Sequence, residues 1–127
     1  MVASTAFGMT TNVKATGLTL SEEIRTYLDK CLSKVEKYTQ GDSAAIVQVE
    51  LERSMSHSGG EVFRGELTVS GSNLSIRAEA EATSLHAAID VLEDRVVNEL
   101  RRLKGKRQHI FRRQAKRVKD FIRGWRA

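Results

Sequence analysis

The stretch AAIVQVELERSMSHSGGEVFRGELTVSGSNLSIRAEAEA, residues 44–82, alternates apolar and polar side chains three times over. In 44–53 the apolar series is Ala45, Val47, Val49 and Leu51. In 61–70 it is Phe63, Gly65, Leu67 and Val69, and in 73–82 it is Leu74, Ile76, Ala78, Ala80 and Ala82. A period of two sends one set of side chains to a core and the other to water. The stretch therefore predicts three strands. The short SGSN link at 70–73 reads as a hairpin turn, and SMSHSGG at 54–60 as a longer hairpin loop. The wet face should carry Gln48, Glu50, Glu52, Arg64, Glu66, Thr68, Ser75, Arg77, Glu79 and Glu81. It is net acidic and has no aromatic side chain, so it makes a poor platform for stacked bases.

Outward from the strands lie two helical patterns. In GLTLSEEIRTYLDKCLSKVEKYTQG, Ile24, Leu28, Cys31, Leu32 and Val35 recur at helical spacing. Ser21 is a good N-cap, Glu22 and Glu23 suit the positive helix end, and Gly41 is a natural stop, which predicts a helix over 22–39. A second helix begins near Thr83 or Ser84, with Leu85, Ile89, Leu92, Val96, Leu100 and Leu103 on its stripe and Gly105 as its weak point or end. Residues 9–16, rich in β-branched side chains, predict a first strand. The order is β-α-β-β-β-α. The expected fold is α+β, two layers, with a four-stranded sheet and two helices on one face. We expect an N-terminal arm at 1–8, an α+β domain at 9–106 and a basic amphipathic tail at 107–127.

Charge is divided unevenly along the 127 residues. The net charge is +5, yet residues 100–127 hold twelve Lys or Arg and one acid, while residues 1–99 hold nine Lys or Arg and fifteen acids. Such asymmetry points to a polyanionic partner. On the first helix Lys30, Lys34 and Lys37 share a face, with Arg25 near the start. On the second, Arg95, Arg102 and Lys106 form a stripe. In the tail, Ile110 or Phe111, Ala115, Val118, Ile122 and Trp125 recur every three or four residues, giving an amphipathic helix with a basic face. That tail suits RNA phosphates, a protein surface or an anionic membrane.

Catalytic and metal constellations are not evident. His57, His86 and His109 with the single Cys31 lack zinc-ligand spacing. Ser54, Ser56, His57 and Ser58 crowd one loop without forming a triad, and Gly59-Gly60 lacks the rest of a phosphate loop. Glu79 and Glu81 fall on the wet face, not in a cleft. We expect no enzyme, no cofactor and no metal. One cysteine excludes an internal disulfide and fits a reducing compartment. No apolar run approaches the roughly 18 residues of a membrane span, and the first residues lack the features of a signal peptide. A cytoplasmic protein is the expectation.

The segments IRTYLDKCLSKVEKY (24–38) and AEATSLHAAIDVLEDRV (80–96), set in the β-α-β-β-β-α order, resemble the ribosome hibernation-promoting factor family. Its members are also called protein Y, ribosome-associated inhibitor or sigma-factor modulation protein. The resemblance covers residues 9–106. It implies a double-stranded-RNA-binding-like topology and binding in the channel of the small ribosomal subunit, over the tRNA sites and mRNA path, so that idle ribosomes are silenced and protected. It also implies that basic residues on both helices face ribosomal RNA, here Arg25, Lys30, Lys34, Lys37, Arg95, Arg102 and Lys106. The basic extension adds Arg101, Lys104, Arg107, Arg112, Arg113, Lys116 and Arg117 as RNA-binding candidates. The expected partners are the small subunit and its RNA, with ribosomal proteins as further contacts and neither a small-molecule substrate nor a membrane. The free chain is expected to be a monomer. His86, Asn98 and Cys31 depart from the family pattern, each removing one polar or basic contact. The competing expectations are a protein-binding regulatory module, as the sigma-factor label implies, and a membrane-surface protein held by the tail.

Overall fold

The computed structural model describes residues 2–4, 10–55 and 59–125. Its elements are β1 (Val2–Ser4), β2 (Thr10–Thr16), α1 (Glu22–Thr39), β3 (Ile46–Met55), β4 (Glu61–Gly71), β5 (Leu74–Ala82) and α2 (Leu85–Trp125). The α+β layering and the order from β2 onward follow the sequence pattern. The sheet has five strands in the order β1-β2-β3-β4-β5, one more than the expected four. The addition is β1, which pairs antiparallel with β2. Three residues are too few to show a period, so the sequence offered no strand signal there. β2 runs parallel to β3, and the β3-β4-β5 part is antiparallel throughout. Residues 56–58 of the expected loop lie outside the described residues.

The alternation works as the period requires. Val47, Val49, Leu51, Leu67, Val69, Ile76, Ala78 and Ala80 are buried, while Gln48, Glu50, Glu52, Arg64, Arg77, Glu79 and Glu81 face water. Ile24, Leu28, Leu32 and Val35 of α1 and Ile89, Leu92, Val96 and Leu100 of α2 close the core from one side. Both helix starts are capped as read. Ser21 Oγ accepts from the Ile24 amide at 3.2 Å, and Ser84 Oγ from the Ala87 amide at 3.1 Å. Each satisfies an amide that the first turn leaves without a helical partner. Gly17 sits at φ +72°, where an added Cβ would lie 2.8 Å from the Arg53 carbonyl oxygen.

α2 does not end or break at Gly105. It runs 41 residues, or about 60 Å at 1.5 Å per residue. A single interior glycine costs roughly 1 kcal/mol relative to alanine, and the Lys, Arg, Gln and Leu around it are good helix formers. The basic tail and α2 are thus one helix, and the last 18 residues, 108–125, extend it by about 27 Å. At Arg107 the helix is still tied to the domain, its guanidinium donating to the Asn73 carbonyl at 2.9 Å.

A candidate nucleic-acid interface between the helices

α1 and α2 lie side by side and point the same way. Contacts between them keep a nearly constant separation in sequence: Glu23 with His86, Tyr27 with Asp90, Cys31 with Glu93, Tyr38 with Arg101. The groove between the helices therefore has two distinct ends.

Near the helix starts the groove is acidic. The Tyr27 hydroxyl donates to Asp90, and this bond, helped by burial, pushes the phenol up to about 12. His86 packs its ring edge against Tyr27 with centroids 4.9 Å apart and lies 3.5 Å from Glu23. One turn on, Glu93 accepts from the Cys31 thiol at 2.7 Å and from Lys34 Nζ at 2.5 Å. Burial pushes the Glu93 carboxyl up, but the two hydrogen bonds outweigh it and hold the group below its usual range. The Cys31 thiol is driven the other way, up to about 12, by burial and by Glu93. This thiol, on the apolar stripe of α1, is a buried donor between the helices. The Lys34 ammonium is held above its usual range by the hydrogen bond to Glu93.

Toward the helix ends the groove turns basic around Tyr38. Arg101 Nε donates to the Tyr38 hydroxyl at 3.1 Å, and Lys104 Nζ stands 5.8 Å from the centre of the same ring. Lys37 and Arg107 complete the group, lining with Tyr38 and Lys104 a cleft of about 180 Å³. Below it, Asp42 ties the α1–β3 connection to the β4–β5 turn. Its carboxylate accepts from the Ser72 amide and hydroxyl at 2.9 Å and from the Ala44 amide at 3.0 Å, bonds that hold its carboxyl below the usual range.

The structure sorts the sequence candidates into five groups. Lys37, Arg101, Lys104 and Arg107 converge on the helix-end half of the groove, and Lys34, held by Glu93, borders it. Lys30 lines the acidic half with Asp90, Glu93 and Asp94. Arg95 and Arg102 lie on the opposite flank of α2, over the edge strand. The Arg95 guanidinium donates to the Glu79 carbonyl of β5, and Arg102 is bound by Glu99 at 2.6 and 3.2 Å. Lys106 follows Arg102 by one turn and shares that flank. Arg25 stands two residues before Tyr27, about 200° around α1, so it faces away from α2. Arg112, Arg113, Lys116 and Arg117 are exposed on the projecting part of α2. The basic stripes of the two helices therefore do not merge into one surface. Tyr38, absent from the candidates, is the side chain around which the groove cations gather. Its sequence signals were its place at the end of the 24–38 segment and beside Lys37 in the last turn of α1.

Among the described residues no group of three His, Cys, Asp or Glu can hold a metal ion, and no helix is long and apolar enough to cross a membrane.

Residues 11–108 match the model of the sigma 54 modulation protein / S30EA ribosomal protein family. The chain is 28% identical over 87 residues to a ribosome hibernation promotion factor of Staphylococcus aureus, covering 68% of this chain and 44% of the relative. It is 26% identical over 104 residues to a protein of the same description from a Picosynechococcus species, covering 77% and 52%. The chain thus spans about half the length of the curated relatives it matches. Among solved structures, the Thermus thermophilus protein Y N-terminal domain superposes with a TM-score of 0.56 at 24% identity, covering 72% of this chain and 94% of that one. A ribosomal subunit interface protein from Coxiella burnetii gives 0.59 at 14% identity, covering 75% and 97%. At these identities the two structures speak for the fold alone.

Proposed function

The chain belongs to the sigma 54 modulation protein / S30EA ribosomal protein family, and we propose that it is a ribosome hibernation factor of the cytoplasm. It binds RNA of the small ribosomal subunit and blocks the tRNA and mRNA sites by occupying them. The action is steric, so it needs no catalytic group. The observation that carries this reading is the convergence of Lys37, Arg101, Lys104 and Arg107 at the helix-end half of the groove, continued by the basic face of α2. The cations with no carboxylate on them take phosphates, and the 18 projecting residues of α2 follow the same strand. The acidic sheet face, with Glu50, Glu66 and Glu79 directly across from one another on β3, β4 and β5, turns away from RNA and orients the approach.

The test is co-sedimentation with purified ribosomes across a salt series. Binding should follow the small subunit and fall steeply with salt, by roughly a thousandfold or more between 50 and 200 mM if six to ten phosphates are neutralised. A flat salt response, or no pelleting at low salt, refutes it. One observation favours a protein-binding module instead: Ile110, Val118, Phe121 and Ile122 are exposed on the projecting helix. That reading predicts capture of a polymerase sigma factor with no ribosome sedimentation.

A further inference from the structure

Tyr38 divides two clefts of opposite character. On one side, about 280 Å³ is bounded by Lys34 and Arg101 but also by Glu93 and Asp94, so the charges there are mixed. On the other, the 180 Å³ cleft has a floor of Leu74, Leu100 and Leu103, Tyr38 as a wall, and a rim of Lys37, Lys104 and Arg107 with no carboxylate. A phosphate alone has no use for a floor of three leucines. A planar aromatic ring does, since it covers apolar surface and packs against the tyrosine. Pockets that hold whole small molecules run to roughly 300–1,000 Å³. This cleft, at 180 Å³, takes one ring system and leaves the rest of its carrier outside.

The wall and rim are already fixed. The Tyr38 hydroxyl is held by Arg101 at 3.1 Å, and Arg107 is held by the Asn73 carbonyl at 2.9 Å. Lys104 stands at the outer limit of a cation–ring contact, 5.8 Å from the centroid, and can swing to a phosphate at low cost. In a duplex the base faces are buried in the stack, so such a cleft is reached only from a single strand.

Resting on the RNA-binding reading above, we propose that the cleft beside Tyr38 is a subsite for one unstacked nucleotide of single-stranded RNA. The base lies on the leucine floor against Tyr38, and its phosphate meets Lys37, Lys104 and Arg107.

The test is an anisotropy titration of the full chain with three probes: a short adenine-rich single-stranded RNA, the same sugar-phosphate strand made abasic, and adenosine monophosphate. The abasic strand keeps every phosphate, so phosphate binding alone predicts equal affinity. The expected result is roughly tenfold tighter binding of the strand with bases, the size of one base–aromatic stack. The difference should vanish in Tyr38→Ala and persist in Tyr38→Phe. Equal binding of the two strands by the intact protein overturns the subsite and leaves the RNA reading standing. A difference that survives Tyr38→Ala places base contact elsewhere and also overturns it. Mononucleotide binding as tight as that of the strand marks a free-nucleotide site and overturns it too. If neither strand binds, the RNA reading falls and the subsite with it.

Discussion

Two double substitutions that remove the same charge should behave differently. Arg101→Gln with Lys104→Gln takes two cations from the groove around Tyr38. Arg95→Gln with Arg102→Gln takes two from the β5 flank, where one is spent on the Glu79 carbonyl and the other on Glu99 at 2.6 Å. Each phosphate contact adds about 0.7–0.9 to the slope of log affinity against log salt. Losing two contacts should lower the slope of the groove variant by about 1.4–1.8. Over a fourfold rise, from 50 to 200 mM, the unaltered protein should then lose roughly tenfold more affinity than the groove variant. The flank variant should keep nearly the full slope. Filter binding to purified small subunits at four or five salt concentrations measures both, with circular dichroism as the check on folding. If the two variants shift equally, net charge alone governs binding and the assignment of the site to the groove is refuted.

Four further outcomes follow from the packing. Glu93 has its carboxyl held below its ordinary 4.5, so the group stabilises the fold above that value and the contribution is lost as pH falls through the lower folded-state value. Glu93→Gln should therefore flatten the acid side of the stability curve in urea titrations and cost about 1 kcal/mol at pH 7, while the native Cys31 thiol, at about 12, stays slow to alkylate at pH 8 until the protein is unfolded. Gly65→Ala would place a Cβ 2.6 Å from Leu92 Cδ1 and 3.4 Å from Leu51 Cδ2, two side chains that are 1% exposed, so denaturant unfolding should show a loss of about 1–3 kcal/mol. Gly105→Ala meets nothing within 4 Å and should stabilise α2 by roughly 0.5–1 kcal/mol, raising the helical signal at 222 nm without altering the domain; a fall in that signal would contradict a continuous helix.

The period-two stretch at 44–82 decided three strands because a half-buried sheet has no other way to be written. Ser21 and Ser84 marked the helix starts because their hydroxyls do a local job that needs no knowledge of the rest. β1 escaped because a three-residue edge strand is held by its neighbour rather than by its own pattern. Gly105 misled because a one-residue propensity was weighed as a stop, whereas the helix sums over many residues. The site was legible as a set of cations but not as a place. Arg101 and Arg102 are adjacent in sequence, and one serves Tyr38 while the other serves Glu99. Only the pairing of α1 with α2 at a fixed offset decides which flank each cation takes, and that pairing is a tertiary fact.

The helix ends contribute part of the charge gradient along the groove, whose acids Asp90, Glu93 and Asp94 lie beyond the first turn of α2. Both helices begin at one end, where partial positive charge favours Glu22 and Glu23. α1 ends at the other, where partial negative charge favours Lys37 and its neighbours from α2. Folding alone thus rewards acids at the start of α1 and cations at its end. A phosphate arriving at Tyr38 must approach the negative end of α1, which by itself repels it. Lys37, Arg101, Lys104 and Arg107 have to more than cancel that field. Cations that serve only the α1 terminus would be saturated by it. Four of them around one tyrosine, with a basic helix leading on, exceed what the terminus needs, and that excess is what a polyanion can bind.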